Sequence, residues 1–94
     1  MAIKLKPDSG EAYNNLGTAL FREKKNEEAI SQYRMAVKLK PDFAEAHNNL
    51  GAALLREKKY EEAISHYRMA VKLKPDFAMA HNNLKKAISK LEKQ

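Results

Sequence analysis

The sequence predicts an all-α fold: an α-solenoid of antiparallel helical hairpins with two full 34-residue repeats and a C-terminal capping helix. The first observation is a period, because the tripeptide Lys-Pro-Asp begins at Lys6, Lys40 and Lys74, each 34 residues after the last. The second is that apolar residues recur at helical spacing within each copy. A hairpin of this size cannot bury its apolar stripe alone, so successive hairpins are expected to stack.

The two full copies are nearly identical. They differ at only six of 34 positions, which are Gly10/Ala44, Tyr13/His47, Thr18/Ala52, Phe21/Leu55, Asn26/Tyr60 and Gln32/His66. We expect a single domain over 1–94, which is divided into a remnant of a preceding helix end at 1–9, repeat one at 10–43, repeat two at 44–77 and a capping helix at 78–94.

Each repeat contains two amphipathic helices separated by a short polar turn. The apolar positions of repeat one are Tyr13, Leu16, Gly17 and Leu20 in the first helix and Ala29, Ile30, Tyr33, Ala36 and Val37 in the second. Asp8 and Asp42 each stand three residues before a glutamate, which predicts a capping box at the start of each first helix. Pro41 and Pro75 are expected to end the preceding helices.

The third copy keeps only its first helix. Its apolar stripe continues at Leu84, Ala87, Ile88 and Leu91 before the chain becomes rich in lysine. Lys85 stands where the two repeats have Gly17 and Gly51, the residues that allow a second helix to approach closely. The sequence therefore predicts a cap that is exposed to solvent.

These positions resemble the tetratricopeptide repeat (TPR) family. The matching residues are Tyr13, Leu16, Gly17, Leu20, Ala29, Tyr33, Ala36 and Pro41, with His47, Leu50, Gly51, Leu54, Ala63, Tyr67, Ala70 and Pro75 in the second copy. The resemblance implies a superhelix that binds or scaffolds other proteins. One departure is Lys24 and Lys58 in the inter-helix turn, where the family usually has Gly. A left-handed backbone at these lysines would cost about 1–2 kcal/mol.

A polar stripe along the first helices is the predicted peptide-binding surface. Stacking would align Asn15, Asn49 and Asn83 as a ladder whose amides donate to and accept from a peptide backbone. This is similar to the asparagine ladder in the TPR superhelix of O-linked N-acetylglucosamine transferase. The rest of the predicted site comprises Asn14, Asn48, Thr18, Arg22 and Arg56. The alternative is that these asparagines are surface or packing residues copied by duplication.

A second mode of TPR recognition can be tested from the sequence. Relatives that hold the C-terminal carboxylate of chaperones present Lys and Asn on one first helix, Asn on the next, and Lys and Arg on the third. The matching residues here are Asn14, Thr18, Asn49, Met79 and Asn83, of which only Asn49 agrees. We therefore expect no carboxylate clamp.

Composition and motifs argue against catalysis. The chain has no cysteine, no Gly-rich phosphate loop and no recognisable set of nucleophile, base and orienting group. His47, His66 and His81 lack the spacing of a metal site, and we expect them to pack against neighbours instead. We expect no enzymatic activity and no cofactor.

The leading hypothesis is a protein–protein interaction scaffold that binds an extended peptide or protein segment in the concave groove. The alternative is an engineered or idealised minimal repeat unit, with a structural or self-assembly role and no native ligand. Under that alternative, exposed repeat ends that include Ile3 and Leu5 would self-associate. The net charge of +6 selects no partner by itself.

Nucleic acid and membranes are disfavoured as partners. Phe21 is the one aromatic residue expected in the groove, and Glu11 and Glu45 interrupt its basic character, whereas nucleic acid requires stacking aromatics and a basic track. No apolar run approaches the roughly 20 residues of a membrane span. The lack of cysteine is typical of a reducing compartment, so we expect a cytoplasmic location.

Overall fold

The computed structural model of the chain describes residues 9–94. The helices are α1 (Gly10–Arg22), α2 (Asn26–Leu39), α3 (Ala44–Arg56), α4 (Tyr60–Leu73) and α5 (Ala78–Glu92). Within the described range there is no β-strand, so the predicted all-α class is confirmed. Of the preceding helix end expected at 1–9, residues 1–8 lie outside the described residues, and Ser9 is the N-cap of α1.

The helices stack in sequence order, and the first helices form the inner side. Within the two hairpins, α1 packs on α2 and α3 packs on α4. Successive units are joined where α2 packs on α3 and α4 packs on α5. The backbones of the first helices also approach one another, α1 with α3 and α3 with α5, whereas those of α2 and α4 stay further apart and are bridged by the ion pair between Arg34 and Glu62. Because the first helices lie closer together than the second, they line the concave face of the solenoid.

Two tyrosines and two glycines set the spacing within the hairpins. Tyr33 and Tyr67 are the largest fully buried side chains in the described part of the chain. A Cβ atom at Gly17 would lie 2.7 Å from Cδ1 of Tyr33, and one at Gly51 would lie 2.7 Å from Cε1 of Tyr67. Each ring therefore packs directly on the glycine backbone of its partner helix. Lys85, at the third equivalent position, is exposed as predicted.

The capping box predicted at Asp42 is wrong. Helix α3 begins at Ala44 with Phe43 as its N-cap, and no side chain caps it. The Phe43 amide donates to the carbonyl of Lys40 at 3.0 Å in the turn after α2. Asp42 therefore lies in this turn, one residue before the N-cap position of α3. In α1 the Ser9 hydroxyl is the cap and accepts from the Ala12 amide at 3.1 Å. Asp8 lies outside the described residues.

The turns within the hairpins have a left-handed backbone. Lys24 has φ 63° and Lys58 has φ 61°. Both amides are used, since Lys24 donates to the carbonyl of Phe21 at 3.0 Å and Lys58 to that of Leu55 at 2.9 Å. The packing of each hairpin thus holds a lysine in a conformation that favours glycine.

Candidate functional site

The asparagines of the first helices hydrogen-bond across consecutive repeats. The Asn49 amide donates from Nδ2 to Oδ1 of Asn14 at 3.0 Å, which joins α3 to α1. One repeat later, Nδ2 of Asn83 donates to Oδ1 of Asn48 at 3.1 Å, which joins α5 to α3. The same bond therefore recurs along the inner face, and it holds the first helices at a fixed spacing.

The structure separates the predicted asparagines into two groups. Asn14 and Asn48 are buried and act as the acceptors of the cross-repeat bonds. Asn49 and Asn83 are half-buried, and Asn15 is exposed. Each cross-repeat bond uses one of the donor's two amide hydrogens, which leaves the other hydrogen and the carbonyl oxygen for a ligand. Asn15, Asn49 and Asn83 are thus more accessible to solvent than the buried acceptors Asn14 and Asn48.

Thr18 is tied to the core of its hairpin. Its hydroxyl lies 3.1 Å from the carbonyl oxygen of Asn14 and 3.0 Å from the hydroxyl of Tyr33. Burial raises the pKa of Tyr33, although the bond to Thr18 partly opposes this. In repeat two Ala52 replaces the threonine, and the buried hydroxyl of Tyr67 has no hydrogen-bond partner among the described residues. Burial raises the pKa of Tyr67 to about 12.

The two predicted arginines differ in how they are held. Arg22 and Arg56 are both exposed in the last turns of their helices. The Arg56 guanidinium lies over the ring of Phe21, 4.5 Å from its centroid, which is a cation–π contact between repeats. Phe21 therefore restricts the orientation of the Arg56 guanidinium.

A cavity opens on the inner side between α3, α4 and α5. Its volume is about 400 Å³. The residues that carry its chemistry are Phe21, Arg56, Tyr67, Asn83, Lys86 and Lys90. Arg56 and Asn83 belong to the predicted site, whereas Lys86 and Lys90 were not predicted. The repeat alignment could have indicated both lysines, because they occupy the α5 positions that correspond to Thr18 and Arg22 in α1.

Two histidines pack together on another side of α3. The Nδ1 atoms of His47 and His66 are 3.1 Å apart and their rings are stacked with centroids 5.3 Å apart. Because a carbonyl oxygen only accepts, Nε2 of His47 donates to the carbonyl of Pro41 at 2.9 Å, whereas either histidine can be the donor of the Nδ1–Nδ1 bond. Burial, and next the nearby His47, lower the pKa of His66. The residues from 9 to 94 contain no group of three or more potential metal ligands of the His, Asp or Glu type.

The two groove glutamates are paired with lysines. Glu11 lies 3.3 Å from Nζ of Lys40, and Glu45 lies 3.3 Å from Nζ of Lys74. Both pairs are exposed, so each contributes little to stability.

Of the helices in residues 9–94, none has the length and apolar character to cross a bilayer.

The stacked hairpins and their polar inner face define a helical-repeat solenoid with a groove. A family model described as TPR repeat matches residues 17–58, and one described as tetratricopeptide repeat matches residues 44–77. The chain belongs to the tetratricopeptide repeat family. A search of the curated proteins finds no match.

Solved structures share this architecture. The first TPR of Spaghetti (RPAP3) bound to the HSP90 peptide SRMEEVD is 32% identical, with a TM-score of 0.90 over 93% of this chain and 69% of that one. The MamA protein is 28% identical, with a TM-score of 0.89 over 94% of this chain, which spans 48% of that structure. The TPR2B-domain:pHsp70 complex of yeast Sti1 is 24% identical, with a TM-score of 0.86 over 89% of this chain and 67% of that one, and it supports the fold alone.

Proposed function

We propose that this chain is a protein-interaction scaffold that binds an extended peptide along its concave groove and performs no catalysis of its own. The observation that carries the proposal is the asparagine ladder on the inner face. Asn49 and Asn83 are each oriented by a bond to the preceding repeat and still present unused amide groups. Amides held in this way can pair with the backbone of a peptide whatever its side chains are.

The comparison with RPAP3 supports the same class of ligand. That TPR structure contains an HSP90 peptide, and it covers nearly all of this chain at 32% identity. The mode of capture is proposed to differ, because the chain lacks the residues of a carboxylate clamp. Met79 stands where the clamp has a lysine, and it is 61% exposed. The proposed ligand is therefore an internal peptide segment rather than a free C-terminus.

Labelled peptides from a mixed-sequence pool test this proposal by fluorescence anisotropy. The parent chain is compared with a variant in which Asn15, Asn49 and Asn83 are all changed to Ala. We expect the parent chain to bind peptide and the triple variant to lose binding. A thermal unfolding transition must show that the variant is still folded. Asn82→Ala is the matched control, because Asn82 is an exposed asparagine on α5 beside the ladder. Binding that survives the triple change would contradict the ladder as the site.

A second candidate function is self-assembly as a structural repeat unit. It is favoured by exposed apolar side chains, above all Met79 near the start of α5 and Met69 in α4, which are 61% and 39% exposed. Under this hypothesis the chain binds no peptide and forms oligomers as its concentration rises. Light scattering that gives a monomer at every concentration, together with peptide binding, would exclude it.

A further inference from the structure

We propose that the cavity between α3, α4 and α5 binds a phosphorylated serine of the peptide that occupies the groove. The inference rests on the proposed peptide-binding function and names the chemistry of one residue of the ligand. The cavity opens beside Asn83 of the ladder, so a backbone held by the ladder would pass its mouth. A side chain that leaves the backbone at this point would enter the cavity.

The charge of the cavity is wholly positive. Arg56, Lys58, Lys86 and Lys90 line it, and none of the described residues in its wall is acidic. Other lysines of the chain are paired with carboxylates, as Lys40 is with Glu11 at 3.3 Å. Four cations around one concave site repel one another, and a bound anion relieves that repulsion.

The donors in the cavity are arranged before a ligand arrives. Phe21 holds the Arg56 guanidinium at 4.5 Å from its ring centroid. Asn83 is oriented by its bond to Asn48 and retains a second N–H group. Tyr67 is fully buried, and its hydroxyl lacks a hydrogen-bond partner. The hydroxyl oxygen is almost wholly covered, so a ligand oxygen or a water would reach it from the cavity only when a neighbouring side chain moves aside.

The chemistry of this cavity is not repeated at the equivalent place in the first hairpin. At the equivalent place between α1, α2 and α3, the counterpart of Ala52 is Thr18, whose hydroxyl already satisfies Tyr33. The counterpart of Lys86 in that place is Ala52, which carries no charge. Only the second position therefore combines an added cation with a tyrosine hydroxyl that lacks a partner.

The donor set favours phosphate over carboxylate. A carboxylate has one negative charge and two oxygens, whereas a phosphoserine has a charge of about −1.5 to −2 and three acceptor oxygens at neutral pH. Arg56 can form a bidentate pair with phosphate, and the two lysines of α5 can neutralise the remaining charge.

The test uses three labelled peptide pools with the same random flanks and a central phosphoserine, serine or glutamate. We expect the phosphoserine pool to bind the full chain about tenfold more tightly than the serine pool. Lys86→Ala and Arg56→Gln should each lower this ratio. Lys85→Ala is the matched control, because Lys85 is an exposed lysine of α5 next to Lys86 that does not line the cavity, and it should leave the ratio unchanged.

Each other outcome overturns the inference in a distinguishable way. Equal binding of the phosphoserine and serine pools, with dependence on the ladder, removes the phosphate site and leaves the proposed function standing. If the glutamate pool binds as tightly as the phosphoserine pool, the cavity is a site for carboxylates and shows no preference for phosphate. A ratio that survives both Lys86→Ala and Arg56→Gln places the phosphate elsewhere. If no pool binds the parent chain, the proposed function and this inference both fail.

Discussion

The hydroxyl of Thr18 lies 3.0 Å from the hydroxyl of Tyr33, whereas the corresponding hydroxyl of Tyr67 lies opposite Ala52 and has no partner in the described part of the chain. The two repeats are nearly identical, so this difference compares the same buried tyrosine with and without one hydrogen bond. A buried polar group without a partner keeps its desolvation penalty. Repeat two therefore carries a local defect that repeat one avoids.

Restoring the threonine should stabilise the chain. Ala52→Thr supplies the partner that Tyr67 lacks, and we expect the free energy of unfolding to rise by about 1 kcal/mol in urea titration. Ala52→Val is the control, because valine has the shape of threonine without its hydroxyl. Thr18→Ala should have the opposite effect and lower stability by about 1–3 kcal/mol, since it leaves the Tyr33 hydroxyl without a partner. Equal effects of the Thr and Val variants would contradict the hydrogen-bond explanation.

The left-handed turn predicts a stabilising glycine. Lys24 has φ 63°, and Lys24→Gly removes a steric cost of about 1–2 kcal/mol while adding unfolded-chain entropy of about 0.5–1 kcal/mol. The net expectation is a small rise in melting temperature. Lys24→Ala is the matched control, because alanine removes the lysine side chain but keeps the Cβ atom that makes a positive φ costly. A melting temperature that falls equally in both variants would show that the turn is unstrained.

The histidine pair predicts a loss of stability in acid. The pKa of His66 is lowered in the folded chain, chiefly by burial and then by His47, against an ordinary value of 6.5. The unfolded chain then binds a proton more readily, so stability should fall as the pH drops through about 6.5. Glu62 opposes this effect and Arg34 reinforces it. Thermal melts between about pH 7.5 and pH 5.5 measure the slope.

The matched variant for this prediction is His66→Gln, which restores the residue that repeat one has at Gln32. Glutamine does not titrate, so the variant should show a smaller loss of melting temperature over the same pH range. If parent and variant lose stability equally, the pH dependence arises from other groups.

The glycine of the second hairpin should tolerate no side chain. Gly51→Ala places a Cβ atom 2.7 Å from the Tyr67 ring, which must move within a packed core. We expect a destabilisation of about 1–3 kcal/mol in urea titration. The control is Lys85→Ala at the equivalent position of α5, which is exposed and should change stability little. A neutral Gly51→Ala variant would show that the ring has room to shift.

Much of the fold could be predicted because its signals are local. The apolar stripes and the prolines are each set by residues within a few positions of one another, and the same local signals recur every 34 residues. The prediction of Asp42 as the capping residue of α3 was wrong, because the position of an N-cap depends on a turn geometry that one or two residues can shift.

The sequence by itself determined the repeat class, the helical hairpins and the polar stripe that contains the asparagines. Only the tertiary structure decided that Asn49 bonds to Asn14, that Phe21 holds Arg56, and that a basic cavity forms where Ala52 replaces a threonine. These contacts join residues of different repeats, so they depend on the rotation and offset between stacked hairpins. That offset is set by the packing of whole helices, and no local pattern of residues encodes it.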